Sequence, residues 1–469
     1  MDYQTVNPAT GEILATFPTI SDDALEQATA QAHAAFLDWR NRPVSERARL
    51  MSAAAAKLRL DAQRHASLVT LEMGKGITLS GYEIALSADI LDYYAAHAED
   101  FLKPMPVPGV PAATLLTRPL GVILAVEPWN YPYYQVARVI GPQLMVGNTV
   151  ILKHAESVPQ CAAAIAEALE QVGFPQGVFT NLYASHDQIS SLIADPRVVG
   201  VTVTGSERAG AKIAELAGKS LKKVVLELGG SDPFIVLPDA SLETAADAAL
   251  LGRMANAGQS CVATKRMIVV GEDRGRAFLE IYLEKLKHMQ ANDPLEQGTI
   301  VGPVSSERAL EGLLRQIELA RQGGAKVLAG GNRINRPGFF LEPTLLTDIT
   351  PDNPVYKSEI FGPVASLYVV NDENEAIKLA NDTPFGLGAA IFTGDVDRGR
   401  AIAEQIESGM VFINQVSWTG PELPFGGIKN SGFGRELAEA GFAEFVNRKL
   451  VHTAPVGAPL YGPVPTASA

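Results

Sequence analysis

Gly121-Val122-Ile123-Leu124-Ala125-Val126-Glu127-Pro128-Trp129-Asn130 is the stretch that decides the fold. It opens a region in which apolar runs of strand length alternate with helical patterns. Beyond the quoted strand, this region predicts strands at 149–153, 198–204 and 223–228, a helix over 159–172 and another after Gly205. Such alternation is typical of parallel strands joined by crossover helices. The sequence therefore predicts an α/β protein with a doubly wound parallel sheet.

A second alternating block begins after Gly229, where we place a domain boundary. It predicts strands at 233–237, 266–270, 325–329, 365–370 and 409–414, and helices at 241–256 and 274–290. Before the first block the pattern is helical over 21–39, 45–73 and 79–102, with Ser21 and Ser45 as N-caps. A proline-rich segment then carries a short strand at 114–117. We expect the Pro-, Gly- and Ala-rich tail after Ala454 to be exposed or to wrap another subunit.

Length and charge restrict the possible partners. A chain of 469 residues predicts two or three domains. With 52 acidic and 39 basic residues its net charge is -13, so its surface repels nucleic acid. The N-terminus lacks the pattern of a signal peptide, and no apolar run reaches the roughly 18 residues that span a membrane. We therefore expect a cytoplasmic protein with no membrane partner. The seven histidines lack metal-ligand spacing, so no metal site is predicted.

The two cysteines lie in contrasting surroundings. Cys161 belongs to an Ala-rich helical run, where a thiol serves as a small buried hydrophobe. Cys261 follows Gly258 on a short loop after a long helical stretch, where a nucleophile can meet a substrate. The pair does not predict a disulfide framework, which agrees with a reducing compartment. Cys261 is the candidate nucleophile.

Chemically distinctive residues follow four predicted strands of the first block. In an open parallel sheet, ligands bind beyond the carboxyl ends of the strands. The four segments are Glu127-Pro128-Trp129-Asn130, Lys153 with Glu156, Thr204-Gly205-Ser206 with Gly210, and Glu227-Leu228-Gly229-Gly230. Each has a plain alternative: Gly205-Ser206 can form a tight turn, Lys153 a solvated cap and Glu227 a paired structural carboxylate. Their convergence at one sheet edge favours a ligand site with phosphate-binding character.

One mechanism uses all of these groups. The Cys261 thiolate attacks a carbonyl carbon, while the Asn130 amide and the Cys261 backbone N–H hold the oxyanion. The adduct can expel hydride to a bound nicotinamide and leave a thioester. Glu227 then helps water to cleave the thioester as a general base.

Four motifs in this order carry a family resemblance: Pro128-Trp129-Asn130, Glu227-Leu228-Gly229-Gly230, Gly258-Gln259-Ser260-Cys261 and Glu359-Ile360-Phe361-Gly362-Pro363. The chain resembles the aldehyde dehydrogenase superfamily over nearly its whole length. By resemblance, Cys261 is the nucleophile, Glu227 the base and Asn130 the oxyanion donor. The resemblance assigns the cofactor to Pro128, Trp129, Lys153, Glu156, Gly205, Ser206, Leu228, Glu359 and Phe361. It also matches Glu436 to a carboxylate thought to relay protons, although Val139 stands where many relatives have a lysine.

The resemblance implies three structural parts and an oligomer. A Rossmann-like cofactor domain would comprise 1–100 and 121–229, and a catalytic α/β domain would comprise 230–436. A bridging oligomerisation element would comprise 101–120 and 437–469. Members with this arrangement form homodimers or homotetramers.

Substrate class follows from a narrower similarity to bacterial succinate-semialdehyde dehydrogenases. Arg138 matches an arginine that in those relatives pairs with the substrate carboxylate, and guanidinium suits a carboxylate by bidentate geometry. A structural ion pair is the alternative for Arg138. Two departures exist, because Ala255 and Gly420 stand where some of those members have an arginine and a serine. We expect oxidation of succinate semialdehyde to succinate, or of another small aliphatic aldehyde or semialdehyde.

Glu156 bears on the cofactor, because a carboxylate there accepts hydrogen bonds from a ribose 2'-hydroxyl and repels a 2'-phosphate. The sequence thus predicts NAD in preference to NADP, with NADP as the second possibility. A CoA-acylating enzyme would not need Glu227 to activate water. A non-catalytic structural member would be expected to have lost Cys261 or Glu227, and both are intact.

Overall fold

The computed structural model describes residues 3–458. The strands are β1 (Tyr3–Val6), β2 (Ile13–Phe17), β3 (Met105–Pro106), β4 (Ala113–Pro119), β5 (Val122–Glu127), β6 (Thr149–His154), β7 (Phe179–Asn181), β8 (Val198–Thr204), β9 (Lys223–Glu227), β10 (Pro233–Val236), β11 (Arg266–Val270), β12 (Lys326–Ala329), β13 (Thr344–Thr347), β14 (Val364–Val370), β15 (Phe385–Gly386), β16 (Ala390–Phe392), β17 (Phe412–Ile413), β18 (Ile428–Lys429), β19 (Gly432–Phe433) and β20 (Val446–His452). The helices are α1 (Asp22–Trp39), α2 (Val44–Leu60), α3 (Ala62–Met73), α4 (Ile77–Phe101), α5 (Tyr134–Val146), α6 (Pro159–Gln171), α7 (His186–Ala194), α8 (Glu207–Lys219), α9 (Leu242–Met254), α10 (Glu272–Lys287), α11 (Glu307–Gln322), α12 (Glu373–Asn381), α13 (Val396–Ala403) and α14 (Ala438–Phe442), with a 3-10 helix at Ala255–Gly258.

The first large sheet is six-stranded, in the order β19-β9-β8-β5-β6-β7. Strands β5 to β9 are parallel, and β19 pairs with β9 in the antiparallel sense. Within this sheet the chain first forms β5 and then adds β6 and β7 on one side of it. It then returns to the other side of β5, where it forms β8 and β9. The strand order therefore reverses between β5 and β8, which is where a doubly wound sheet binds its ligand. The predicted fold class is confirmed.

A second sheet is seven-stranded, in the order β12-β13-β14-β11-β10-β16-β17. Its central strands β10 and β11 are buried along their whole length, as expected when helices cover both faces of a parallel sheet. A third sheet, β20-β4-β3, is antiparallel, and β20 pairs with β4 from Val446 to His452. The predicted domain boundaries stay predictions.

Some local expectations differ from the structure. Ser21 caps α1 by accepting from the Ala24 N–H, but Pro43 and not Ser45 occupies the N-cap position of α2. The predicted helix over 45–73 is interrupted at Asp61, whose ψ of 19° turns the backbone out of helical geometry between α2 and α3. Residues 459–469 of the predicted tail lie outside the described residues. In the part of the chain that is described, no helix has the length and apolar character needed to cross a membrane.

Candidate active site

Cys261 follows a tight, strained turn. After α9 the chain forms the 3-10 helix Ala255–Gly258, in which Asn256 and Ala257 have φ of 56° and 51°. Residues other than glycine adopt such conformations at a cost of roughly 1–3 kcal/mol each, and they persist only where surrounding contacts hold them. Asn256 supplies such contacts, because its amide donates to the carbonyl oxygens of Asn130 at 3.1 Å and Gln259 at 3.2 Å.

The Cys261 side chain is partly accessible and faces a cavity of about 340 Å³. Tyr131, Tyr134, Arg138, Trp418 and Phe425 are among the residues that enclose it. Cys161, in contrast, is fully buried in α6, as predicted for a structural thiol. Of these two thiols, Cys261 is therefore the one that can meet a small molecule.

The electrostatic surroundings of Cys261 favour the protonated thiol. Burial raises its pKa to about 12, and Lys265 and Arg138 act in the opposite direction. Glu359 and Asp232 add smaller upward contributions. Catalysis at neutral pH thus requires a change that favours the thiolate or removes its proton as it attacks.

The Asn130 side chain is held close to the nucleophile segment. Its amide nitrogen donates to the Gln259 carbonyl at 3.1 Å. Its own backbone carbonyl accepts from Lys75 Nζ at 2.9 Å. An amide nitrogen has two N–H groups, so the second one remains for an oxyanion. The structure thus brings Asn130 within hydrogen-bond distance of Gln259, two residues before Cys261, although the two segments are far apart in sequence.

Lys75 and Glu83 were missed by the sequence analysis. They form a buried ion pair, and the Glu83 carboxylate accepts from the backbone N–H groups of Tyr133 at 2.8 Å and Tyr134 at 3.2 Å. An anion at the start of α5 is favoured by the helix dipole. The pair thereby fixes the turn that presents Asn130. A lysine in a loop and a glutamate in a helix give no signal in sequence that they will pair.

Glu227 lies at the end of β9 and is buried. Burial raises its pKa well above the usual range, and the charge of Glu436 raises it further, whereas Arg138 and Arg435 act against this. Glu227 is not among the residues that line the cavity described for Cys261. To act on water at Cys261, the carboxyl group must therefore turn towards that cavity.

Arg138 joins the cavity to a buried carboxylate cluster. Its Nε lies 2.6 Å from Glu436 Oε2, and its Nη2 donates to Thr204 Oγ1 at 3.1 Å. The Glu127 pKa is also raised well above its usual range by burial and by the charge of Glu436. Burial and mutual repulsion therefore favour the protonated forms of these carboxyl groups. Arg138 therefore forms the structural ion pair that was the alternative to a contact with the substrate carboxylate. It also lines the cavity, so both interpretations of Arg138 stay open.

The predicted cofactor residues gather at the strand-order reversal and beside it. Ser206 caps α8, and Gly205 precedes it with no described atom within 4 Å of where a Cβ would stand. Lys153 is buried and lies 2.5 Å from Glu156, which rules out a solvated cap for this lysine. Gly210 lets Leu228 pack against α8, because an added Cβ would stand 2.6 Å from that side chain.

The remaining cofactor candidates come from the second block and from the turn after β5. Trp129 and Phe361 make an edge contact with ring centres 5.8 Å apart. Glu359 accepts from the Gly230 N–H at 3.0 Å and pairs with Lys265 at 3.0 Å. Pro128 precedes Trp129 in the same turn. The two blocks therefore both contribute to the site around Cys261.

Comparison with known proteins places this site in a family. The model of the aldehyde dehydrogenase family matches residues 1–451. Succinate-semialdehyde dehydrogenase (NADP(+)) of Deinococcus radiodurans is 48% identical and covers 97% of this chain and 95% of that protein. The enzyme of the same name numbered 1 from Mycobacterium tuberculosis is 43% identical over 96% of this chain and 99% of its own length. The chain therefore belongs to the aldehyde dehydrogenase family.

Solved structures agree with this assignment. A structure of succinic semialdehyde dehydrogenase from Streptococcus pyogenes in complex with NADP+ has a TM-score of 0.94, with 45% identity, and the match covers 96% of this chain and 99% of that one. A structure described for cofactor and substrate selection by Gox0499 has a TM-score of 0.95, with 49% identity, and covers 97% and 100%.

The predicted preference for NAD is wrong. The Deinococcus radiodurans and Mycobacterium tuberculosis relatives carry NADP(+) in their names, and the Streptococcus pyogenes enzyme was solved with NADP+. The prediction treated Glu156 as an isolated anion. In the structure its Oε1 lies 2.5 Å from the Lys153 ammonium and 3.5 Å from His186 Nε2. Because the Lys153 ammonium compensates the charge of this carboxylate, it is a weak barrier to a 2'-phosphate.

Proposed function

We propose that this protein oxidises succinate semialdehyde to succinate, with NADP+ as the hydride acceptor. The observation that carries the proposal is the cavity that Cys261 and Arg138 share, a thiol and a guanidinium facing the same small volume. The relatives named above support the choice of substrate and cofactor. The volume of about 340 Å³ suits a small aldehyde.

In the first step, the Cys261 thiol gives up its proton to solvent water, and the thiolate attacks the aldehyde carbon. The carbonyl oxygen becomes an oxyanion, which the Asn130 amide and the Cys261 backbone N–H stabilise. The Gln259 and Lys75 contacts hold Asn130 in place before the substrate arrives, so little reorganisation is needed during the reaction.

The residues at the strand-order reversal fit a dinucleotide. The N-terminus of α8 offers backbone N–H groups and a favourable dipole for a pyrophosphate, and Gly205 leaves room for close approach. The Lys153 ammonium lies beside Glu156, near where a ribose and a 2'-phosphate would bind. When bound, NADP+ supplies the hydride acceptor that turns the adduct on Cys261 into a thioester.

In the last step, Glu227 acts as the general base for water at the thioester carbon. Its raised pKa makes the carboxyl group a stronger base once it is ionised. The proton that it accepts can pass to the carboxylate of Glu436, whose charge acts on Glu227. Arg138 is already fully protonated, so it compensates the charge of this carboxylate and takes up no proton. By turning, the Glu227 side chain moves between the cavity, where it accepts the proton from water, and the carboxylate of Glu436.

We assign the substrate carboxylate to Arg138. A guanidinium has five N–H donors, and the contacts with Glu436, Thr204 and Tyr134 do not use all of them. The test is kcat/KM for succinate semialdehyde against butanal, which has the same chain length and no carboxylate. One or two charge-assisted hydrogen bonds predict a preference of about 10- to 100-fold for the semialdehyde.

Two variants separate the roles of Arg138. Arg138→Met removes both the guanidinium and the ion pair, whereas Glu436→Gln weakens the ion pair and keeps the guanidinium. We expect a raised KM for succinate semialdehyde in the first variant only, with KM for butanal unchanged. Equal effects of both variants on both substrates would assign Arg138 to the ion pair alone. No preference for the semialdehyde in the native enzyme would refute the proposed substrate.

The cofactor is tested by kcat/KM for NADP+ and NAD+ at saturating aldehyde. We expect NADP+ to give the higher value. Lys153→Met should reduce the NADP+ value more than the NAD+ value, because the ammonium lies where the additional phosphate would be. Equal losses with both cofactors would assign Lys153 to the parts of the dinucleotide that the two share.

We also propose a cytoplasmic homodimer or homotetramer. Strand β20 lies at the edge of the third sheet, and Leu450 on it is 60% exposed. An exposed edge strand presents unpaired backbone N–H and C=O groups, which favour pairing with a further chain. Size-exclusion chromatography with light scattering tests this, and a monomer at micromolar concentration would contradict it. Two free thiols are compatible with a reducing compartment.

A further inference from the structure

Lys265 is a buried cation directly behind the nucleophile. It is 4% exposed and follows Cys261 by four residues. Its ammonium donates to the carbonyl oxygen of Ser260 at 2.9 Å and to that of Cys261 at 2.6 Å. It also pairs with Glu359 Oε1 at 3.0 Å. This lysine therefore touches both the nucleophile segment and a residue assigned to the nicotinamide side of the site.

A second buried cation joins the same two segments. Arg253, at the end of α9, donates to the carbonyl oxygens of Gly258 at 3.1 Å and Ile360 at 3.1 Å, and also to that of Gly362. Glu359 acts electrostatically on Arg253 as well, but it forms a direct ion pair with Lys265. The segments around Cys261 and Glu359 are thus tied together at two points, and one tie contains a charge pair.

We propose that Lys265 is a positioning residue that fixes the peptide of Cys261 and supplies the positive charge that stabilises its thiolate. In this arrangement the Glu359 carboxylate partly compensates the charge of Lys265. This inference rests on the proposed role of Cys261 as nucleophile. An ammonium acts strongly on a neighbouring thiolate in a buried site, because little water screens the charge. Contacts with two successive carbonyl groups also fix the orientation of the peptide plane between Ser260 and Cys261.

Glu359 gives the arrangement a sensitivity to ligand binding. In the structure its carboxylate compensates Lys265 and accepts from the Gly230 N–H. A ribose hydroxyl that engages this carboxylate would weaken its hold on Lys265. The ammonium would then act more fully on Cys261, so that the thiol would be most reactive when the dinucleotide is bound.

The charged and titratable groups that act on the Cys261 thiol are known from the structure. Lys265 and Arg138 favour the thiolate, and Glu359 and Asp232 oppose it. Tyr131 also interacts electrostatically with the thiol. Replacing Lys265 and replacing Glu359 should therefore move the reactivity of Cys261 in opposite directions.

The test is the rate of alkylation of Cys261 by iodoacetamide as a function of pH, followed on the Cys261 peptide by mass spectrometry. It uses the full-length protein without aldehyde or cofactor. For Lys265→Met we expect the profile to move up by about one pH unit or more, which is about a tenfold lower rate at pH 8. Lys265→Arg should stay close to the native profile, and Glu359→Gln should raise the rate severalfold.

Control variants distinguish an effect of the Lys265 charge from an effect of misfolding. Lys326→Met removes an exposed ammonium that pairs with Asp348, and it should leave the alkylation profile unchanged. If Lys265→Met does not fold, the rise in Glu359→Gln and the native-like profile of Lys265→Arg still test the proposal. In the native protein, NADP+ should raise the alkylation rate of Cys261, because its ribose would weaken the contact between Glu359 and Lys265.

Two results would overturn the proposal. One is a Lys265→Met profile equal to the native profile. The other is a change of the same sign in Lys265→Met and Glu359→Gln, which would indicate a loss of structure and not a loss of charge. Because alkylation needs no aldehyde, a failure of the proposed substrate leaves this test intact. Absence of any thiolate-dependent alkylation at Cys261 would instead count against its role as nucleophile.

Discussion

Glu227→Gln separates the two halves of the proposed reaction. Glutamine has nearly the same shape as glutamic acid, and it removes one carboxylate from a cluster that also holds Glu436 and Glu127. Burial raises the Glu227 pKa, so the neutral side chain of glutamine resembles the protonated form that burial favours. We therefore expect the variant to fold with native-like stability, and to bind aldehyde and cofactor.

The expected decrease in the rate of thioester cleavage follows from the loss of a general base. Such a group contributes about 10²- to 10⁴-fold to the rate, or roughly 3–5 kcal/mol of activation free energy. Attack by Cys261 and hydride transfer do not use Glu227 as base for water, so the first turnover should remain. Thioester cleavage should slow by the stated factor, which leaves the acylated enzyme as the accumulated species.

Stopped-flow absorbance of NADPH measures both phases. We expect a burst of about one NADPH per active Cys261, followed by a steady-state rate reduced by about 10²- to 10⁴-fold. Intact-protein mass spectrometry of the quenched reaction should find the succinyl thioester. Native steady-state turnover by the variant would refute the role of Glu227, and loss of the burst would assign it to an earlier step.

Other perturbations test separate parts of the site. Cys261→Ala should abolish NADPH formation, whereas Cys161→Ala, in the core of α6, should lower stability and retain kcat per folded molecule. Because burial raises the pKa of Cys261 to about 12, with the protonated thiol as the stable form at low pH, kcat/KM should rise with pH between about 6 and 9 in a pH–rate profile; a flat profile would contradict this. Lys75→Met leaves Glu83 as a buried unpaired carboxylate and should lower the free energy of unfolding by about 3–5 kcal/mol in a denaturant titration. Gly258 has φ of 70°, and a Cβ there would clash with the Gly362 carbonyl, so Gly258→Ala should reduce both stability and the alkylation rate of Cys261; native values for both would contradict the described turn.

The sequence predicted the first sheet well because its signal is local. Each strand is a short apolar run, and the residue that follows it marks the functional edge. The structure has Asn130 after β5, Gly205 after β8 and Glu227 at the end of β9, on neighbouring strands. Parallel pairing alone suffices to bring such strand ends together.

Contacts between distant segments could not be predicted in this way. Asn256 donates to the carbonyl of Asn130 across 126 positions, and no periodicity encodes that pairing. Gly258 and Asn256 are residue types that adopt positive φ, but the positive φ of Ala257 between them has no sign in its residue type. The error over NAD has a different origin, because Glu156 was interpreted as an isolated anion although Lys153, which pairs with it, lies only three residues before it.

The nucleophile segment follows a helix of the second sheet, whereas Asn130 and Glu227 belong to the first sheet. Hydrogen bonds from Asn130 to Gln259 and from Asn256 to Asn130 cross between them. A slight slip of one half of the molecule against the other would break these bonds while both cores stay intact. On warming, the enzyme should therefore lose activity at a temperature below the unfolding transition measured by calorimetry. Cooling from that temperature should restore its activity.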